Sequence, residues 1–151
     1  MLLIIGFLFM VFFIAVMGML TSAWNAYIDM PSILLIIVSL LFFFPSTKSG
    51  SIIGRYFKSS FKKDYTYTKT ELAALCAAAK NTTKFILAVG GFGFACGILG
   101  SLVNLENKNA LGPNIALSLL SFVYAITTSF FIFFPVQVWA ENKINLLQND
   151  A

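Results

Sequence analysis

The chain has 151 residues, 59% hydrophobic, 16% aromatic and 11% charged, with a formal net charge of +4 and a mean hydropathy of +0.88. A soluble domain of this length has too little interior to hide so much apolar surface, so the composition reads as a single integral membrane domain over 1–151. The absence of histidine, the commonest general base and metal ligand, and the scatter of the acidic residues argue against conventional enzymatic or metal chemistry.

Residues 1–20 carry no charged side chain and are apolar apart from Gly6 and Gly18. About 20 such residues match a hydrocarbon core of about 30 Å at about 1.5 Å per residue. There is no basic leader and no small-residue cleavage site, so the stretch reads as an uncleaved first span. The second apolar run, 32–44, lies between Pro31 and Pro45. Thirteen residues make only about 20 Å of helix, so this span either thins the bilayer or runs past its prolines. Pro31 suits a first helical turn. A third span is expected over about 85–103 and a fourth over about 113–134.

Eight of the ten basic residues (Lys48, Arg55, Lys58, Lys62, Lys63, Lys69, Lys80 and Lys84) fall in the 46–84 loop, opposed there only by Asp64 and Glu71. By the positive-inside rule that loop is cytoplasmic, and with four spans both termini are cytoplasmic as well. The charge therefore follows membrane topology and is no signal for nucleic acid. Trp24 and Trp139 fall near opposite interfaces. Residues 46–69 mix Ser, Gly, Lys and Tyr and read as partly irregular. Thr70 is the expected N-cap of an Ala-rich helix that nothing breaks before Gly90, so helix three extends well below the membrane. The tail, 136–151, continues helix four with Val136, Trp139, Ile144 and Leu147 on one stripe opposite Glu141 and Lys143, as an interfacial helix or a subunit contact. Cys76 and Cys96, about 30 Å apart on one helix, cannot pair within the chain.

Small residues recur at helical spacing in the last two spans. Gly90, Gly93, Gly97 and Gly100 make one stripe, read as a helix-packing face. Asn114, Ser118, Ser121 and Ala125 make the other, at steps of four, three and four. One reading of the two serines is a hydroxyl bonded back to the carbonyl four residues earlier. The other is a polar strip facing a lumen. Interhelical bonds from such hydroxyls average only about 0.6 kcal/mol, so stability alone does not require them. No Asp, Glu, Lys or Arg falls inside an expected span, so a titrating carboxylate for ion passage is expected from a partner chain.

The segment Leu111 to Ala125, LGPNIALSLLSFVYA, resembles the start of the last membrane helix of MotA, and more widely the MotA/TolQ/ExbB group of ion-driven motor proteins. Tyr27-Ile28-Asp29-Met30-Pro31-Ser32 is similar to the Phe-Ile-Asp-Ile-Pro-Ser entry to that family's second helix. Gly90, Gly93 and Gly97 fall where its third-helix glycines are expected, and Pro135 matches the proline near the cytoplasmic end of the last helix. The resemblance implies an all-α protein of four transmembrane helices, with helices three and four long and reaching into the cytoplasm of a bacterial inner membrane. It implies a homopentamer around a dimer of a single-span MotB/TolR/ExbD-like partner carrying an intramembrane Asp. It also implies a proton or sodium ion as the transported species, with no cofactor.

The departures from the family pattern are specific. The loop is about 40 residues long with one arginine, short for engaging a flagellar rotor. Phe94 stands where a Thr often follows the glycine, a Thr-Thr pair becomes Ser121 and Phe122, and Ala125 replaces a glycine. Leu87 stands near the place of an expected proline. On this resemblance Asn114, Ser118, Ser121, Phe122, Ala125 and Phe94 line the ion path or lumen, and Pro135 is a hinge. Two phenyl rings in place of hydroxyls would narrow and dry such a path. An ion-incompetent structural scaffold is therefore the alternative.

Overall fold

The computed structural model describes residues 2–21, 29–61, 65–103, 105 and 108–149. Trp24, Tyr27, Ile28, Lys62, Lys63, Asp64, Asn104 and Glu106 lie outside these. All regular structure among the described residues is helical, and four helices are long and apolar enough to cross a membrane.

Helix α1 covers Leu2–Thr21 and buries only Gly6 and Gly18. Its bulky residues, Phe7, Leu8, Phe9 and Phe12 among them, are exposed, as suits a helix that meets lipid on most of its surface. Gly6 lets the helix approach the backbone at Phe131, and Leu2, Leu3, Phe13 and Ile14 also pack against the rest of the chain. Helix α2, Met30–Thr47, runs past both prolines. Pro31 sits in the first turn, where its missing N–H has no partner to lose, and Pro45 is inside the last turns. The second span thus has 18 residues, about 27 Å of helix. Phe43 of α2 stacks on Phe85, with ring centroids 4.3 Å apart.

Lys48, with φ 57°, takes the left-handed conformation that ends α2 and turns the chain directly into α3, Ser49–Ser59. The expected irregular stretch is helical here. Tyr56 and Ser59 are buried on the inner face of α3, and Ser59 Oγ meets the Tyr67 hydroxyl at 2.6 Å. Helix α4, Lys69–Val103, has 35 residues, about 52 Å. Its cap is Thr68 rather than Thr70. Thr68 Oγ1 accepts from Glu71 N at 3.3 Å, and Glu71 Oε2 accepts from Thr68 N at 3.1 Å. This reciprocal capping box satisfies two amides that the first turn leaves unpaired.

Helix α5, Lys108–Thr128, passes through a π-helical turn, Ser129–Phe133, into α6, Phe134–Asn149. Pro135 explains the widened turn, since its ring crowds the carbonyl four residues earlier, at Phe131, and it has no N–H to offer that carbonyl. The same Phe131 carbonyl oxygen occupies the space a Cβ on Gly6 would need. The irregular turn is therefore also the docking point of α1. Helix α6 packs back on α3 and α4 through Val136 and Ala140, while Trp139 sits against Tyr56 and Tyr67. Ile144 is half-buried and Leu147 exposed, so only the first half of the tail stripe is covered. Cys76 donates to Glu141 Oε1 at 3.4 Å, and neither cysteine is in a disulfide.

Candidate functional site

The two small-residue stripes face each other. A Cβ on Gly90 would collide with the Ala125 methyl and lie 3.1 Å from the Ser121 carbonyl oxygen. On Gly93 it would lie 3.0 Å from Ser121 Cβ and 2.9 Å from Leu35 Cδ2 of α2. On Gly97 it would strike Ser118 Oγ and lie 3.0 Å from Ser118 Cα. Gly90, Gly93 and Gly97 thus bring α4 and α5 to a spacing that any side chain would forbid, the geometry small residues permit in apolar surroundings. Gly100 differs, because a Cβ there would have nothing within 4 Å. The packing seam ends before it.

Along this end of the seam an open cleft of about 380 Å³ lies between α4, α5 and the start of α2. Asp29, Ser32, Gly97, Gly100, Ser101, Asn114, Ser118 and Ser121 all line it. At its floor the polar groups form one connected set. Asp29 caps α2, its carboxylate accepting from Ser32 N at 3.1 Å and also from the Ser32 hydroxyl. Ser32 Oγ in turn meets Ser121 Oγ of α5 at 2.7 Å. The Asp29 amide donates to the Tyr124 hydroxyl at 3.4 Å. Asp29, Ser32, Ser121 and Tyr124 are all buried, Asp29 being only 8% exposed.

The depth of this set follows from helix arithmetic. Ser121 is thirteen residues, about 20 Å, into α5 from Lys108, and Gly93 is ten residues, about 15 Å, from the Val103 end of α4. Helix α2 therefore begins well inside the bundle, and the cleft is the space above its first turn. Asp29 reads in the sequence as part of a connection outside the spans. In the structure its carboxylate is joined through the Ser32 hydroxyl to Ser121, near the middle of α5.

The expected site residues divide accordingly. Ser118 bonds back to the Asn114 carbonyl at 2.7 Å, the local reading of such a serine. Ser121 bonds across to α2 instead. Asn114, Ser118 and Ser121 line the cleft, but Ala125, expected on the same lumen strip, is fully buried beneath Gly90 and faces no open space within one chain. Phe94 and Phe122 meet at 6.4 Å between ring centroids, on the flank of the seam, with Phe122 39% exposed. Pro135 lies beyond the seam, next to the π turn. Sequence reasoning missed Asp29, Ser32 and Tyr124 as members of the site. The available signal was Asp29-Met30-Pro31-Ser32, an N-cap followed by a first-turn proline.

No group of three or more potential metal-binding His, Cys, Asp or Glu side chains exists among the described residues. Comparison of the chain with protein-family models, with curated proteins and with solved structures finds no match in any of the three.

Proposed function

We propose that this chain is the ring-forming subunit of an ion-driven membrane motor of the MotA/TolQ/ExbB type. In this reading it crosses the bacterial inner membrane four times with both termini in the cytoplasm. Five copies surround a dimer of a single-span partner that carries an intramembrane Asp, and proton or sodium flow becomes rotation or force. The chain itself is not an enzyme. The observation that carries the proposal is the polar cleft floored by the Ser32–Ser121 contact, because it opens between the two helices that the resemblance assigns to the ion path. Buried polar groups within an apolar span are costly unless they serve a path or a partner. The basic residues of α3 and the first half of α4 (Arg55, Lys58, Lys69, Lys80 and Lys84) gather at the end of the bundle opposite the cleft, which supports the orientation.

The test is ion flux into vesicles holding this chain and its one-span partner, repeated with Ser121→Ala. The motor reading expects flux from the complex and a marked fall in the variant, while unchanged flux removes Ser121 from the path. The second reading, an ion-incompetent scaffold of a membrane or envelope complex, draws on the Phe94–Phe122 contact. Rings packed on each other beside the seam offer nothing to hydrate a passing ion. A complex that assembles but passes no ion under a potential would select the scaffold.

A further inference from the structure

We propose that Asp29 is a proton-binding carboxylate of this chain, loaded from the cleft and connected through Ser32 to Ser121. The inference rests on the motor reading and deepens it by naming the ion and giving this chain, rather than the partner alone, a group that takes it up. Three observations carry it.

The first is position. A carboxylate joined through Ser32 to Ser121, near the middle of α5, is inside the apolar span, where an ionisable side chain is a functional group by default. Capping α2 requires only the bond from Ser32 N; it requires neither the contact from Ser32 to Ser121 nor an open cleft of about 380 Å³ above.

The second is the character of the cleft surface. The hydroxyls of Ser118 and Ser101 donate back to the carbonyls of Asn114 and Gly97, at 2.7 and 2.9 Å. Among the described residues the cleft lining holds no cationic side chain. Among the described residues, the titratable group that meets Asp29 from α5 is the Tyr124 hydroxyl, and α4 brings no charged residue to the lining. Asp29 is thus the one charged side chain in the described lining, which favours a positive species over an anion.

The third is connectivity, which selects a proton over a metal cation. With Asp29 ionised, the Ser121 O–H donates to Ser32 Oγ and the Ser32 O–H donates to Asp29 Oδ2. A proton from the outer water forms an O–H bond on Asp29. The bonds then reverse: Asp29 donates to Ser32, Ser32 passes its own proton to Ser121 Oγ, and the Ser121 proton leaves for a carboxylate on a neighbouring span. One proton enters, one departs, and each hydroxyl ends with one. A sodium ion would need these same oxygens arranged around it, whereas here they are engaged with one another.

The experiment is a pH titration of the chain alone, in lipid nanodiscs, read by infrared difference spectroscopy of the carboxyl band. Wild type is expected to show a protonated-carboxyl band that Asp29→Asn loses and Ser32→Ala displaces. Asn is as good an N-cap as Asp, and far-UV circular dichroism checks that α2 is retained. Should Asp29→Asn lose helix, the displacement by Ser32→Ala decides by itself. Superimposable spectra of wild type and Asp29→Asn would overturn the proposal. So would a band removed by sodium at constant pH, which would assign the site to that ion. Because no partner is present, the result is separable from the motor reading: a fivefold particle with a silent Asp29 removes this inference alone. A titrating Asp29 in a monomeric chain sustains it and removes the motor.

Discussion

Gly90→Ala is the sharpest perturbation of the α4–α5 seam. The new methyl would overlap the Ala125 methyl and sit 3.1 Å from the Ser121 carbonyl oxygen. Carbon atoms in contact prefer about 3.5–4.0 Å, and neither obstacle is the end of a flexible side chain. The helices must therefore part by roughly 1 Å, and overpacking of this kind costs about 1–3 kcal/mol. Alanine returns about 1 kcal/mol of helix propensity, leaving a net loss of about 0–2 kcal/mol. Gly100→Ala supplies the control, since its methyl has nothing within 4 Å and keeps the propensity gain. The two variants should differ by about 2 kcal/mol, roughly a thirtyfold difference in the unfolding equilibrium. Reversible unfolding in mixed dodecyl sulfate micelles, followed by far-UV circular dichroism, measures both. Ala125→Gly alone gives up about 1 kcal/mol of helix propensity, but it removes the main obstacle, so Gly90→Ala made on that background should no longer destabilise. Equal stability of the two single variants, or strict additivity of Gly90→Ala and Ala125→Gly in the double variant, would refute the face-to-face packing of the stripes.

Other outcomes follow from local chemistry. The Thr68 backbone N–H and the Tyr65 hydroxyl, both donating to Glu71, hold its carboxyl below the usual carboxylate range. A depressed folded value means the capping box contributes fully above the ordinary glutamate range and is lost as the pH falls through the lowered value. Amide exchange over the first turn of α4 should accelerate across that acidic window and become pH-independent, beyond intrinsic chemistry, in Glu71→Gln. Ser129 Oγ is buried in the π turn with no hydrogen-bond partner. Ser129→Ala removes that desolvated hydroxyl and should raise stability by about 1 kcal/mol in the same micelle assay; a loss of stability would show that the hydroxyl has a partner.

The apolar spans were legible because length and hydropathy over about 20 residues suffice to define them. The second span was harder, since Pro45 reads as a stop, yet α2 includes it near its end. Thr70 stands directly before the Ala-rich run, yet it is Thr68-Lys69-Thr70-Glu71 that carries the capping-box spacing. Helix α3 does carry Ile52, Ile53 and Tyr56 at helical spacing, but its residues are polar on average and the groups that Tyr56 clusters with, Leu75 and Val136, lie far away in sequence. The stripes themselves were plain at helical spacing, but spacing does not say what a stripe faces. That Ser121 meets Ser32, 89 residues away, depends on how deep α2 begins relative to α5, and no linear pattern encodes relative depth. Asp29 was hidden for the same reason: a carboxylate before Pro31 reads as a connection until α2 is placed against its neighbours.

The central claim is that this chain acts as one member of a ring. Electron cryomicroscopy of particles purified in mild detergent, reconstructed without imposed symmetry, tests it in one observation. Fivefold order with α4 and α5 lining the centre is the expected result. A population of monomers, or a ring of another order with those helices on its lipid face, would contradict it.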